Sequence, residues 1–200
     1  MVKGFRERKN KGFVDNKMTR RGIMRKFLVV IGLFLSFSIL CFADLQTAGD
    51  LFSQKKYAEA EQEYRNSLSS LKDKDLSFAQ FRIGLCFELQ KKYNEAISEY
   101  KKVATISGAD PQNVSGAQFR IGCCLEAQGK IKEAQEEYLR MCSKRDSVFW
   151  LKQAFSKIDP FIVGKDKYVE YLNKLIMIIP ATPENADFLG LLKSELEKLK

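Results

Sequence analysis

Two glutamates and a pair of adjacent cysteines are the residues in this chain whose types could do chemistry. Glu88 and Glu126 occupy equivalent places in two similar stretches, and paired carboxylates can cleave glycosidic bonds. A repeated stretch pairs residues of any type, however, so we interpret these carboxylates as ordinary surface or groove groups. Cys123 and Cys124 cannot close a disulfide within a helix without distortion. We therefore expect no enzyme activity, and a cell-wall hydrolase that uses the two glutamates is the remote alternative.

The sequence contains no histidine, which removes the usual base beside a nucleophilic Ser or Cys. No Cys-x-x-Cys pair and no glycine-rich phosphate loop is present, so neither a zinc site nor a nucleotide site is indicated. We expect no metal and no cofactor. After residue 44, the cysteines are expected to be small buried apolar side chains, with one disulfide as the alternative in an oxidising compartment. They are Cys86, Cys123, Cys124 and Cys142.

The net charge of +9 is concentrated near the N-terminus. Residues 1–43 carry ten Lys and Arg residues against two acidic ones, and residues 44–200 are almost neutral. A nucleic-acid-binding protein should carry its basic excess on the folded domain. We therefore expect no nucleic-acid partner.

The basic N-terminus leads into an apolar stretch, Phe27–Ala43, that ends in a small-x-small pattern. This order predicts a basic leader and signal peptide over residues 1–43, cleaved before Asp44, with Met24 as an alternative start. Two alternatives remain open: the stretch stays in the membrane as an anchor, or Cys41 carries a lipid. In each case the body of the protein is expected to be exported.

A phrase of eight residues occurs twice in the chain. The sequence AQFRIGLC at Ala79–Cys86 returns as AQFRIGCC at Ala117–Cys124. Downstream, Glu-Ala pairs recur with periods of 36 and 38 residues, and a tyrosine follows each Ala at the fourth place. These tyrosines are Tyr64, Tyr100 and Tyr138, and the small residues that recur upstream of them are Ala48, Gly84 and Gly122. A fixed period of this length is typical of a repeat architecture.

The pattern of a hydrophobe, a small residue and a later Ala-x-x-x-aromatic resembles the tetratricopeptide repeat. The resemblance implies an all-α fold, a right-handed solenoid of antiparallel helix pairs, with about three repeats over residues 44–70, 75–107 and 113–143. Residues 144–200 are expected to form a degenerate fourth helix pair and a C-terminal capping helix. The predicted helices are 44–54, 58–70, 75–90, 94–107, 113–128, 132–143, 147–158, 166–179 and 183–199. The small residues should let paired helices approach closely, and the tyrosines should fill the wedge between pairs.

Helix 75–90 has apolar residues on two faces, about 160° apart. Ala79, Ile83 and Phe87 must face its partner helix, and the resemblance implies that the opposite face lines a concave, peptide-binding groove. The predicted groove residues are Phe78, Phe81, Arg82, Leu85, Leu89, Phe119, Arg120 and Cys123. The alternative is that the C-terminal helices, including Leu175–Ile179, cover these residues.

The opening A-x-F-R-I-G-x-C and the spacing of 36–38 residues are similar to bacterial periplasmic tetratricopeptide proteins, those of outer-membrane barrel assembly and the Tol–Pal-associated coordinators. This similarity implies a non-enzymatic adaptor, periplasmic or otherwise envelope-associated, that binds a segment of a partner protein. The alternative is an inner-membrane-anchored component of a secretion or assembly complex. The identity of the partner does not follow from the sequence.

Overall fold

The computed structural model describes residues 45–143 and 146–199. The predicted leader, with its cleavage point, Met24 and Cys41, lies outside these residues. Residues Asp44–Lys200 form one compact unit. Within the described ranges every regular element is helical, and no helix there is long and apolar enough to cross a membrane.

Ten α-helices follow one another in the described part of the chain, with two short 3₁₀ turns. Helix α1 covers residues 45–53. The others are α2 (Tyr57–Ser67), α3 (Asp73–Leu89), α4 (Tyr93–Val103), α5 (Pro111–Ala127), α6 (Ile131–Arg140), α7 (Val148–Lys157), α8 (Pro160–Val163), α9 (Lys165–Ile178) and α10 (Ala186–Lys198). The 3₁₀ turns are Leu68–Ser70 and Pro183–Asn185.

Each helix packs mainly against its neighbours in the chain. Helix α3 packs on α2 and α4, α5 packs on α4 and α6, and α10 packs on α9. Helices α3 and α5 also contact each other, as do α5 and α7. The predicted all-α fold class of sequential helix pairs is therefore confirmed.

Several helices end earlier than the sequence predicts. The predicted helix 94–107 ends at Val103, and the backbone turns at Gly108, whose φ of 72° is in the left-handed region.

Helix α8 was not predicted, because Asp159-Pro160 was expected only to end the preceding helix. Instead Asp159 accepts a hydrogen bond from the backbone N–H of Phe161 at 2.9 Å and Pro160 occupies the first turn, so the pair starts a short helix.

The first helix of each of the three pairs ends at a residue in the left-handed conformation. These residues are Lys55, Lys91 and Gly129, with φ of 62°, 61° and 76°. Such a residue stops a helix and reverses the chain, and glycine adopts it with the least strain. The turns QKKY and QGKI in the sequence therefore set the antiparallel pairing of α1 with α2, α3 with α4 and α5 with α6.

A polar cluster around Glu99 joins three helices. Gln80 Nε2 donates to Glu99 Oε2 at 2.7 Å, and Arg65 and Lys102 pair with the same carboxylate. Burial by itself raises the pKa of Glu99, but the hydrogen bonds from Lys102, Arg65 and Gln80 outweigh it and lower that pKa below its ordinary value. In the next repeat Gln118 likewise donates to Glu137, and Arg140 pairs with that carboxylate. These glutamines stand where the repeat often has an opening aromatic residue, and they tie α3 to α4 and α5 to α6.

The C-terminal helices complete the larger of two apolar clusters. Leu172 and Leu175 of α9 and Leu192 of α10 are fully buried in it. Phe155 of α7 meets Phe188 of α10 edge to face, with ring centroids 5.5 Å apart. The smaller cluster lies among α1, α2 and α3. The last three long helices thus bury apolar surface on one another.

Candidate functional site

Helix α3 presents a narrow stripe of side chains away from its buried side. The stripe, called here the α3 face, consists of Phe78, Arg82, Leu85 and Leu89. Phe78 and Leu89 are 42% and 44% exposed, and the two residues between them are half-buried. The opposite side of the helix is fully buried through Ala79, Ile83 and Cys86. Of the face predicted to meet the partner helix, Ala79 and Ile83 are buried whereas Phe87 is only half-buried.

The guanidinium of Arg82 is held among aromatic rings. Its Cζ lies 3.9 Å from the ring centroid of Phe52 and 5.6 Å from that of Phe78. Its Nε donates to the hydroxyl of Tyr64 at 3.1 Å. Within the described part of the chain no carboxylate pairs with Arg82. The cation is thus oriented by ring contacts and by one hydrogen bond.

In the next repeat, the equivalent arginine forms an ion pair. Arg120 Nη1 donates to Glu88 Oε1 at 3.0 Å, and the Tyr100 hydroxyl donates to Glu88 Oε2 at 2.6 Å. Burial, reinforced by the Glu88 carboxylate, raises the pKa of Tyr100. One repeat further on, Lys157 Nζ pairs with Glu126 Oε2 at 2.9 Å. Each glutamate of the candidate catalytic pair is therefore held by its own cation.

These glutamates were interpreted from the sequence as surface or groove carboxylates, and the structure shows them more enclosed than open surface groups. The side chains of Glu88 and Glu126 are half-buried, at 15% and 24% exposed; Glu88 links α3 to α4 and α5, and Glu126 links α5 to α7. The reason is that the repeat places a cation opposite each carboxylate, and a buried charge is stable when it is paired and hydrogen-bonded. A carboxylate engaged in this way is a structural link.

Phe119 does not lie open in a groove, contrary to the prediction. Its side chain is 7% exposed, with its ring centroid 5.5 Å from that of Tyr138 and 5.2 Å from that of Trp150. Trp150 belongs to α7, so this part of the predicted surface is covered by α7 and not by the segment Leu175–Ile179. The covered alternative therefore applies at α5, whereas Phe78 and Leu89 on α3 remain exposed.

The other predicted groove residues also have internal partners. Phe81 packs on the ring of Tyr100, with centroids 5.6 Å apart. Cys123 is half-buried and receives a weak hydrogen bond from the Tyr138 hydroxyl at 3.6 Å. Arg120 is committed to Glu88. The structure therefore brings together four of the predicted residues on the α3 face and separates the others from it.

Two residues that shape this region were missed in the sequence. Aligning the repeats places Phe52 where Glu88 and Glu126 stand, and this difference leaves Arg82 on an aromatic ring. Aligning them also places Gly116 where Phe78 stands. The indole of Trp150 fills that space, since a Cβ on Gly116 would lie 3.0 Å from it. A column-by-column comparison of the repeats could have found both signals.

The thiols show no sign of chemistry. Cys86, Cys123, Cys124 and Cys142 are all free, and the first and third are buried as expected. Burial raises the pKa of Cys86 and of Cys124 to about 12, so both remain protonated near neutral pH. No group of side chains suited to hold a metal ion occurs among the described residues.

Residues 78–106 and 117–146 match the sequence profile of the tetratricopeptide repeat. These ranges correspond to the α3–α4 and α5–α6 pairs, and the predicted first repeat at 44–70 lies outside them. No curated protein matches the chain by sequence. The chain thus carries tetratricopeptide repeats at residues 78–146, a typically non-catalytic architecture whose extended surfaces bind other proteins.

Proposed function

We propose that this tetratricopeptide-repeat protein is a non-enzymatic adaptor at the bacterial cell envelope that binds a segment of a partner protein on the α3 face. One observation carries the proposal: Phe78 and Leu89 are large apolar side chains that remain 42% and 44% exposed in a single row on a packed repeat. A row of this kind, bordered by a cation, suits an apolar partner segment.

The neighbouring α5 shows what a covered version of this surface looks like. There Trp150 fills the space beside Gly116, whose counterpart on α3 is Phe78, and it also packs on Phe119. In the described ranges, the α3 face has no such cover. A partner side chain packed against Phe78 would cover α3 at the position where Trp150 covers α5, and this correspondence supports a protein segment as the occupant.

The envelope location is supported by the sequence of the leader. Basic residues precede the apolar stretch Phe27–Ala43, the order expected of an export signal. An adaptor whose leader is cleaved before Asp44 would act in the periplasm, during assembly of envelope complexes. The mass of the chain purified from a cell-envelope fraction tests this, since a chain that starts at Asp44 is expected. A chain found intact in the cytoplasm would contradict the envelope role.

The alternative function is an inner-membrane-anchored component of a secretion or assembly complex. It is favoured by the length of the apolar stretch, which reaches the lower limit for crossing a bilayer. Here the purified chain would retain Phe27–Ala43 and sediment with the inner membrane. A lipid-modified Cys41 would instead indicate a lipoprotein with the same binding surface.

Site-specific photo-crosslinking in intact cells tests the binding surface. A photoreactive residue at Phe78 should give a discrete crosslinked product, whereas one at exposed Lys101 on α4 should not. Leu89→Ser should strongly reduce the Phe78 product, because loss of an apolar anchor can weaken binding by about 2 kcal/mol or more. It should leave the melting temperature almost unchanged. Equal products from both positions, or an undiminished product with Leu89→Ser, would contradict the proposal.

A further inference from the structure

We infer that the bound partner segment is an amphipathic helix with a carboxylate side chain among its apolar residues, and that this carboxylate binds Arg82. This inference rests on the proposed function and adds the chemistry of the partner. Its first support is a repeating set of ion pairs in which one member is missing. Arg120 pairs with Glu88, and Lys157 pairs with Glu126.

Arg82 holds the same place as Arg120 in the repeated phrase. The residue that should face it, by the spacing of 36 residues, is Phe52 in place of a glutamate. The guanidinium of Arg82 accordingly lies over the Phe52 ring at 3.9 Å. The equivalent cations Arg120 and Lys157 are each neutralised by a glutamate. Within the described ranges, the positive charge of Arg82 has no such carboxylate.

The donors of Arg82 point to the kind of group that would neutralise it. Nε is used by the Tyr64 hydroxyl, while the two Nη groups have no acceptor among the described residues. The planar end of a guanidinium donates two parallel hydrogen bonds to the oxygens of a carboxylate. The rings of Phe52 and Phe78 already hold the side chain in place, so less rotamer freedom is lost when an acidic side chain binds.

The spacing along α3 points to the shape of the partner. Phe78, Arg82, Leu85 and Leu89 are separated by four, three and four residues, the spacing by which one helix packs along another. An approaching helix would place apolar side chains against Phe78 and Leu89. A side chain between them would reach Arg82, so the acidic residue must stand within the apolar stripe of the partner and not at its edge.

The first experiment uses a displayed library of helix-forming peptides of about 16 residues, close to the length of α3. The library is selected on the full-length chain and, in parallel, on Arg82→Gln. Peptides selected on the unchanged chain should share an Asp or Glu flanked by apolar residues three or four places away on each side. Peptides selected on Arg82→Gln should keep the apolar spacing and lose the acid.

The second experiment measures one selected peptide and its Glu→Gln version. Arg82→Gln should weaken binding of the acidic peptide about tenfold, which corresponds to about 1.4 kcal/mol, and should change binding of the Gln peptide less than about twofold. Lys101→Gln, which removes one positive charge at an exposed site on α4, should leave both affinities unchanged. Arg82→Lys keeps the positive charge but loses the planar guanidinium. Its affinity for the acidic peptide should lie between those of the unchanged chain and Arg82→Gln.

A second variant keeps the inference testable if Arg82→Gln does not fold. Phe52→Glu restores the glutamate found at the equivalent positions and should pair with Arg82 from within the chain. The acidic peptide should then lose its advantage over the Gln peptide, although Arg82 is still present. An acidic peptide that still binds at least tenfold better than its Gln version would overturn the inference.

The outcomes separate the inference from the proposed function. Selected peptides that lack an acidic residue, or that bind Arg82→Gln equally well, would overturn the inference and leave the binding surface in place. Peptides with alternating apolar residues would indicate an extended partner and overturn the helical part. Failure to select any peptide that competes with the Phe78 crosslink would count against the proposed function itself.

Discussion

The ring of Tyr100 lies directly on the backbone of Gly84. A Cβ atom on residue 84 would stand 2.6 Å from two ring carbons of Tyr100, closer than carbon atoms pack. Tyr138 lies on Gly122 in the same way. The repeated phrase AQFRIG is thus a packing element, in which glycine is tolerated inside a helix despite its low helix propensity because it makes room for a buried tyrosine.

This contact predicts that Gly122→Ala will destabilise the fold. The added methyl group meets the Tyr138 ring inside the core, and overpacking of this kind typically costs about 1–3 kcal/mol. Gly190→Ala in α10 is the matched control, since a Cβ there has no neighbour within 4 Å. It should raise stability by up to about 1 kcal/mol through helix propensity. Urea unfolding measures the stability of both variants. An increase in stability with Gly122→Ala would contradict the close packing of Tyr138 on Gly122.

The difference in burial between Phe119 and Phe78 predicts different losses of stability when each is replaced by alanine. Phe119→Ala should lower stability by about 3–5 kcal/mol, because it opens a cavity between Tyr138 and Trp150. Phe78→Ala should change stability much less, since Phe78 is 42% exposed. Thermal melting of the two variants decides the matter. Equal losses would mean that the α3 face is also part of the core.

The polar cluster around Glu99 predicts a loss of stability in acid. The pKa of Glu99 is lowered in the folded protein from its ordinary value of 4.5, so the carboxylate stabilises the fold fully above that value. This contribution is lost as the pH falls through the lowered pKa of the folded state. Urea midpoints measured from pH 7 down to about pH 3 should show this decline.

Glu99→Gln should be less stable than the unchanged chain at pH 7, because Arg65 and Lys102 lose their anionic partner. It should also decline less in acid, so that the two curves converge as the pH falls. Glu59→Gln, at an exposed position on α2, serves as the control and should follow the unchanged chain. Parallel curves for Glu99→Gln would show that the cluster does not contribute to the acid response.

The burial of the thiols predicts an order of labelling. Cys123 and Cys142 are half-buried, whereas Cys86 and Cys124 are buried with pKa values raised to about 12. Iodoacetamide at pH 8 should therefore modify the first two before the other two, as followed by peptide mass spectrometry. All four should react together in denaturant. Labelling of Cys86 as fast as Cys142 in the folded chain would contradict the packing of α3 on its partners.

The sequence by itself determined the repeat register and the helix pairs. Periods of 36 and 38 residues are local regularities, and the small residues and tyrosines within them pack against sequence neighbours. The turn residues Lys91 and Gly129 also act locally, since each reverses the chain between two helices that are consecutive in the sequence. Contacts between elements close in the chain can be inferred from spacing, because each repeat folds on the next.

The tertiary structure decided which of the repeated positions remain open. Phe119 and its counterpart Phe81 look alike in sequence, yet Phe119 is buried under Trp150 while Phe81 is only half-buried. Likewise, the sequence indicates only a surface or groove carboxylate at Glu88, and its ion pair with Arg120 depends on how α3 packs on α5. Trp150 belongs to the C-terminal third, where the repeat register fails, so its position depends on how α7 packs on α5. Packing between elements that share no sequence period is set by shape and burial, which appear only when the chain is folded.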